Sequence, residues 1–429
     1  MFSGLTKPQL DNLWDDTGGE SFSADALQEH VEADIVIIGG GYTGLSTALS
    51  AGERGAKAIV LEAHEVGFGG SGRNVGLVNA GLWLPPEQIN DVLGPTIGNR
   101  LSSILGSAPD LVYGWIDKYG IQCDPVRAGT MHCAHSKSGL GEVNERFRQM
   151  EAIGAPVQVL DADETAARTG ARRLLGALFD PRAGTLQPKA YAKGLARAAT
   201  EVGAQIYEHS PALSVGWEGG VWEVATPTGF VRAKALLIAT DAYAFRMSWV
   251  YPLKSVPVSY FQAATIPLPE DLRTRILSGG EGCWDTAMVM TSWRLDAEGR
   301  MIIGGMGQLN HVGGNAHANW VGRKLGHLFP ELKGIDLTHH WQGRIGMTKE
   351  KLPKVWRLGP NALACFGYSG RGIGPGSAFG QRLAPCLLDQ NEEVLPLVPV
   401  NENRTRATRL TGAVIETGTT LTHMIKDRF

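Results

Sequence analysis

Three groups of residues in this chain have the types and spacing to do chemistry. The first is Gly39-x-Gly41-x-x-Gly44, with Tyr42 and Thr43 inside the pattern and Glu62 23 residues beyond its start. Glycines so spaced permit a tight turn, admit a pyrophosphate against the backbone, and let a helix pack closely on a sheet. An acidic side chain about 20 residues on bonds ribose hydroxyls and disfavours a ribose phosphate. The second group, Gly70-Ser71-Gly72-Arg73-Asn74-Val75-Gly76-Leu77, is a polar glycine loop that follows closely. The third is Cys365-Phe366-Gly367-Tyr368-Ser369-Gly370-Arg371-Gly372-Ile373-Gly374, which places one cation, Arg371, inside a glycine turn.

These groups need elements to hold them. Residues 34–38, Asp-Ile-Val-Ile-Ile, are short, β-branched and apolar, as in a strand buried on both faces. Residues 45–51 form a small-residue helix, and residues 58–61 a second apolar strand that ends on Glu62 and Ala63. A βαβ unit with its helix start facing phosphates is the predicted result. NAD and FAD both fit such a unit. The glycine loop comes next, where an NAD domain would place its third strand, and this favours FAD.

Composition agrees with a catalytic globular chain. Of 429 residues, 43% are hydrophobic and 19% charged, and the net charge is −3, so no basic surface for nucleic acid is indicated. Glycine, at 56 residues, is about 13% of the chain against a background of roughly 7%. Five widely spaced cysteines, no apolar run of membrane-spanning length and an acidic N-terminus predict a reducing, cytoplasmic setting. The histidines, among them His132, His135, His311, His317, His339 and His340, show no metal-ligand spacing, and no metal is expected.

From the loop at 70–76 onward, the sequence resembles the D-amino-acid-oxidase-like superfamily of FAD-dependent oxidoreductases. Its affinity is to the branch holding gamma-glutamylputrescine oxidoreductase, glycine oxidase and sarcosine oxidase. That resemblance implies a Rossmann-like FAD domain joined to a mixed, largely antiparallel substrate-binding sheet. It implies FAD contacts at Gly39, Gly41, Tyr42, Thr43, Gly44, Glu62, Ala63, Ser71, Gly72, Arg73, Asn74, Gly76 and Leu77. Ala212, Ala239 and Thr240 would lie near adenine and phosphates. Gly343, Gly370, Arg371, Gly372, Ile373 and Gly374 would flank the flavin, with Arg371 near the pyrimidine edge that becomes anionic on reduction.

Two departures limit what the resemblance implies. The strand that carries a carboxylate-binding arginine in many relatives here reads Trp341-Gln342-Gly343-Arg344, one residue out of step, so Arg344 points to the other face. No histidine or cysteine matches a covalent flavin attachment, Asn74 standing where some relatives have histidine, and FAD is expected to be held non-covalently.

The chain is predicted to divide into FAD-domain pieces 1–90, 150–250 and 340–429, and substrate-domain pieces 91–149 and 251–339. Period-two patterns at 256–265 and 301–306 predict strands roofing the flavin, with the pocket between the two layers. Tyr260, Trp293 and Tyr368 are nominated to line that pocket, and Lys254 to stand near the reactive flavin edge. The implied reaction oxidises the C–N bond of a small amine or amino acid to an imine, which water hydrolyses to a carbonyl. Electrons would pass to oxygen as hydrogen peroxide or, alternatively, to a quinone or electron carrier. A flavin-binding protein without catalysis is the reading from another class.

Overall fold

The computed structural model describes residues 10–246, 255–311, 313–401 and 408–425. Its first sheet runs Lys354–Gly359, Ala362–Phe366, Phe230–Ile238, His30–Ile38, Ala58–Leu61, Gln205–Tyr207, with a hairpin of Ser214–Glu218 and Val221–Ala225 added to the strand Phe230–Ile238. The strands from Ala362–Phe366 to Gln205–Tyr207 are all parallel. Parallel strands covered on both faces need continuous apolar sequence. Ile35, Ile37, Val60 and Leu237 accordingly fill one core, and Val36, Ile38, Ile59 and Leu236 the other.

The helix Tyr42–Glu53 lies on this sheet between the helices Pro188–Glu201 and Ile373–Asp389. Close approach is what its glycines permit. A Cβ on Gly44 would stand 2.0 Å from the Gly39 carbonyl, and one on Gly380 2.6 Å from both Ser46 and Thr43.

The second sheet runs Leu337–Met347, Val256–Pro267, Arg300–Met306, Thr291–Leu295, Gly282–Asp285, Thr130–Cys133, Ala177–Asp180, Gln158–Leu160. It is antiparallel except where Gly282–Asp285 runs parallel to Thr130–Cys133. One face packs under the helix Gly314–Leu328 around Phe261, Trp293, Ile303 and Trp320. The other face carries His132 together with Tyr260, Trp284 and Arg294, and the last three reach the glycine loops of the first unit. The expected architecture, a Rossmann-like unit with a second mixed sheet, is the one observed.

Sheet membership corrects the expected domain boundaries. Gln158–Leu160 and Ala177–Asp180 join the second sheet, so residues 150–250 are not wholly a piece of the first unit. Leu101, Leu105, Val112 and Ile116 pack in the first core, which draws the helices Pro95–Gly106 and Ala108–Tyr119 away from the second sheet. The strand Leu337–Met347 pairs with Val256–Pro267, and the helix Thr408–Ile425 packs against that same strand. Long-range pairing decides each case, and local composition carries no record of it. Among the described residues, no helix is long and apolar enough to cross a membrane.

Candidate active site

The first glycine group lies at the strand-to-helix turn of the βαβ unit. Gly39 has φ +113°, and a Cβ there would press on the Ala239 carbonyl at 2.9 Å and on Thr240 at 3.3 Å. The ends of two parallel strands are thereby brought together with Thr240, whose buried Oγ1 has no hydrogen-bond partner among the described residues. Gly41 caps the helix Tyr42–Glu53 without a side-chain hydrogen bond of its own, and Ser71 Oγ accepts the Tyr42 amide at 3.2 Å. Glu62 sits at the strand end. Its oxygens accept the amides of Gly40 at 2.7 Å and His64 at 2.9 Å, and burial raises its pKa above the ordinary carboxylate value. Each oxygen keeps a further lone pair for a ribose hydroxyl. Ser210 donates its amide to the Glu62 carbonyl at 2.7 Å, which brings Ala212 to the same end of the sheet, while Ala63 is exposed.

The second loop is held from all sides. Asn74 Nδ2 donates to the carbonyls of Gly70 and Ser71, and its Oδ1 accepts the Gly76 amide at 2.8 Å. Tyr42 Oη donates to the Ser71 carbonyl at 2.6 Å. Asn74 and Tyr42 are thus frame residues whose polar atoms are turned into the loop. Arg73 lies with its guanidinium 4.6 Å from the Phe68 ring centre, and its carbonyl accepts from Trp341 Nε1. Gly76, at φ +84°, leaves room for the Leu186 carbonyl, and Leu77 pairs with Thr185. Sequence reading missed two supports. Arg294 of the second sheet donates to the carbonyls of Val75 at 2.6 Å and Leu186 at 2.8 Å, and Trp14 donates to Asn74 at 2.9 Å.

The third group begins at the strand Ala362–Phe366 and ends on the helix Ile373–Asp389, which starts on Gly372, again without a side-chain cap. Gly370, at φ +97°, meets Trp83 and Ile345; Ile373 is buried, and Gly374 approaches Asn79 and Ala108. Asp241, absent from the sequence reading, accepts the Gly367 amide at 2.8 Å, and burial raises its pKa to about 6. Two uncapped helix starts and an unpartnered buried hydroxyl, converging on glycine-lined backbone, fit a bound dinucleotide with anionic phosphates and a polar ring edge.

The nominated pocket residues part company. Tyr260 reaches the seam, its Oη 3.4 Å from the Gly70 carbonyl, in space that Gly343 leaves free. Trp293 is fully buried in the core under the helix Gly314–Leu328, so the structure removes it from the pocket. It pairs with Cys283, one residue out of phase with Trp284, and strand alternation sends it to the far face. Tyr368 also leaves the pocket, its phenol bonding Thr43 at 2.7 Å within the first core. Lys254 lies outside the described residues. Gly343 is buried and Arg344 exposed, as the one-residue offset requires.

Arg371 crosses the seam, donating to the Ala80 carbonyl at 3.0 Å with its guanidinium 5.3 Å from the Trp83 ring and 5.0 Å from the Trp284 ring. His132 stacks on Trp284 at 5.1 Å. A second buried arginine, Arg146, donates to the carbonyls of Leu82 and Trp83. Arg371 Nε, Arg146 Nε, Trp284 Nε1 and His132 Nδ1 are buried without partners among the described residues. Burial, and then the neighbouring Arg146 cation, lower Arg371 to about 9; burial lowers Arg146 to about 10. Burial and the same two cations hold His132 well below its ordinary value, and therefore neutral at pH 7. Arg146, His132, Trp83 and Trp284 left no signal in the sequence, because four separate segments supply them.

Fold and cradle together define a flavin-dependent oxidoreductase. Residues 34–385 match the DAO family, described as FAD dependent oxidoreductase, and the chain belongs to that family. It is similar to gamma-glutamylputrescine oxidoreductase of Escherichia coli, with 29% identity over 388 residues, 89% of this chain and 91% of that protein. A probable oxidoreductase, OrdL, of Haemophilus influenzae shares 28% identity over 88% of each chain. The crystal structure of glycine oxidase from Geobacillus kaustophilus superimposes with a TM-score of 0.72 at 20% identity, covering 87% of this chain and 99% of that one.

Proposed function

We propose that the protein oxidises the C–N bond of a small amine that also carries an anionic group, giving an imine that water hydrolyses, with oxygen as electron acceptor. The observation that carries this reading is the buried pair Arg371, set between the Trp83 and Trp284 rings, and Arg146, bonded to the Leu82 and Trp83 carbonyls, with no carboxylate bonded to either among the described residues. Buried cations are stabilised by a counter-charge, and a substrate carboxylate of suitable length would supply one. The names of the relatives, a gamma-glutamylputrescine oxidoreductase and a glycine oxidase, support an amine or amino acid as the oxidised partner.

The protein's part is binding, orientation and exclusion of water. FAD, held non-covalently by the glycine cradle, Glu62 and the two helix starts, supplies the two-electron acceptor when bound. Arg371 and Arg146 would fix the anionic end, and the indoles of Trp83 and Trp284 would wall the chain that joins it to the amine. His132, kept neutral by its surroundings, offers Nδ1 as a hydrogen-bond acceptor to a substrate N–H. The amine must arrive deprotonated, and the local positive charge favours its neutral form.

Anaerobic mixing with a panel of amines, with and without a carboxylate, tests the proposal. The expected result is bleaching of the flavin by carboxylated amines and peroxide release once air is admitted. Bleaching by uncharged amines alone would overturn the anionic requirement. Reoxidation only by a quinone or carrier would assign a dehydrogenase instead.

A further inference from the structure

The helix Thr408–Ile425 lies on the helix Gly314–Leu328 and the strand Val256–Pro267. At this contact a single carboxylate oxygen gathers several donors. Glu416 Oε1 is 2.7 Å from His311 Nε2 and 3.0 Å from His317 Nε2, and it accepts the Gln308 amide at 3.1 Å. The two imidazole nitrogens and the carboxylate oxygen lie within 4.8 Å of one another. The His317 side chain is fully buried, while those of His311 and Glu416 keep 25% and 20% exposure. The cluster is therefore closed by protein on one side and open on the other.

We propose that His311, His317 and Glu416 bind one divalent transition-metal ion of the zinc class and so pin the C-terminal helix to the substrate sheet. Two imidazoles and one carboxylate suit a borderline cation, whereas calcium and magnesium take oxygen donors. The Glu416 oxygen stands 2.7 and 3.0 Å from the two imidazole nitrogens, and these separations must widen by roughly 0.3–0.9 Å to surround a tetrahedral ion about 2.0–2.2 Å from each ligand atom. Water completes the fourth position from the exposed side.

The surroundings supply support for such ligands. His317 Nδ1 is 2.7 Å from His423 Nδ1. With Nε2 on the metal, His317 carries its proton on Nδ1 and donates it to His423, as metal-bound histidines commonly do to a neighbour. His423 is itself fixed by stacking on Trp320 at 4.1 Å. The Gln308 amide orients Glu416. His311 must adjust, because its Nδ1 accepts the Gly313 amide at 2.9 Å, leaving the proton on Nε2. Ligation moves that proton to Nδ1 and turns the ring away from Gly313. Metal binding thus competes with a closed hydrogen-bonded clasp made of the same side chains.

The test uses full-length, flavin-loaded protein without an affinity tag, treated with chelator and then titrated with Zn²⁺ or Co²⁺. One zinc per chain should survive gel filtration, and Co²⁺ should develop the intense d–d bands of a low-coordinate site at wavelengths beyond the flavin. His311→Ala and Glu416→Gln should each weaken binding at least about tenfold with flavin content unchanged. His30→Ala, at an exposed histidine elsewhere, should not alter it. Absence of bound zinc, or zinc binding indifferent to both substitutions, would overturn the proposal and leave the cluster as a metal-free clasp.

Discussion

The cradle at Gly39–Gly44 and the seam around Arg371, which the proposed function assigns to one reaction, are built differently. The cradle is made of backbone. Its amides, carbonyls and missing Cβ atoms come from one short stretch plus the strand end at Ala239–Thr240. The seam is made of side chains, with Trp83, His132, Arg146, Trp284 and Arg371 contributed by distant segments. A backbone site tolerates few substitutions and should fail outright. A side-chain site should lose affinity in steps.

The largest expected effect breaks the cradle. A Cβ on Gly44 meets the Gly39 carbonyl at 2.0 Å, a distance no rotamer relieves, so Gly44→Val should abolish soluble flavin-loaded protein. Gly41→Val is the finer probe, since its Cβ meets only Ser71 Oγ, at 2.9 Å. It should fold but lose its yellow colour, read by absorbance after gel filtration. A yellow Gly41→Val protein would contradict a pyrophosphate seated there.

Next comes the seam. Under the proposed function Arg371→Ala removes one charge-assisted contact to the substrate, worth about 2–3 kcal/mol, and should raise KM for a carboxylated amine roughly thirty- to over a hundredfold. A decarboxylated analogue should scarcely notice the change. Should the rate of flavin reduction fall instead, with KM and the analogue's selectivity unmoved, Arg371 acts on the flavin's pyrimidine edge. That was the role the resemblance implied.

This contrast also explains what the sequence disclosed. The βαβ unit was legible because glycine spacing, a β-branched run and Glu62 all lie within about 30 residues, the length of one such unit. Within the parallel strand Phe230–Ile238 only the last residues, Ala235 to Ile238, form an unbroken apolar run, since Arg232 and Lys234 interrupt the first half. Trp293 misled because a strand's period of two identifies which residues share a face, not which face meets the flavin unit. Tyr368 misled because its neighbours in sequence surround the glycine turn while its phenol bonds Thr43. Glu416 lies about a hundred residues from His311 and His317, so their grouping had no local spacing to betray it.

A smaller effect is expected at the ribose end of the cradle. Glu62→Gln keeps one acceptor for the Gly40 and His64 amides and gives up the other, with its charge. FAD should bind about tenfold more weakly, the equivalent of a single hydrogen bond to a charged group, measured by flavin release on dialysis. Unchanged retention would mean that Glu62 only braces the loop.

The smallest effect concerns Asp241, which joins the first parallel sheet to the glycine turn through the Gly367 amide. Burial raises its folded-state pKa to about 6 from an ordinary 3.8. Between those values the unfolded chain has lost the proton that the folded protein still holds. The stability contributed by the protonated form is therefore complete below about pH 4 and is lost as pH rises through 6. Asp241→Asn keeps an oxygen for Gly367 and never ionises. Its melting temperature should exceed that of the wild type by a few degrees at pH 7–8, with the advantage shrinking towards zero near pH 4. Thermal unfolding followed at both pH values decides the point. A difference that stays constant across this range would show that the Asp241 carboxyl does not titrate with a raised pKa, and that the junction between strand and turn is held by hydrogen bonding alone.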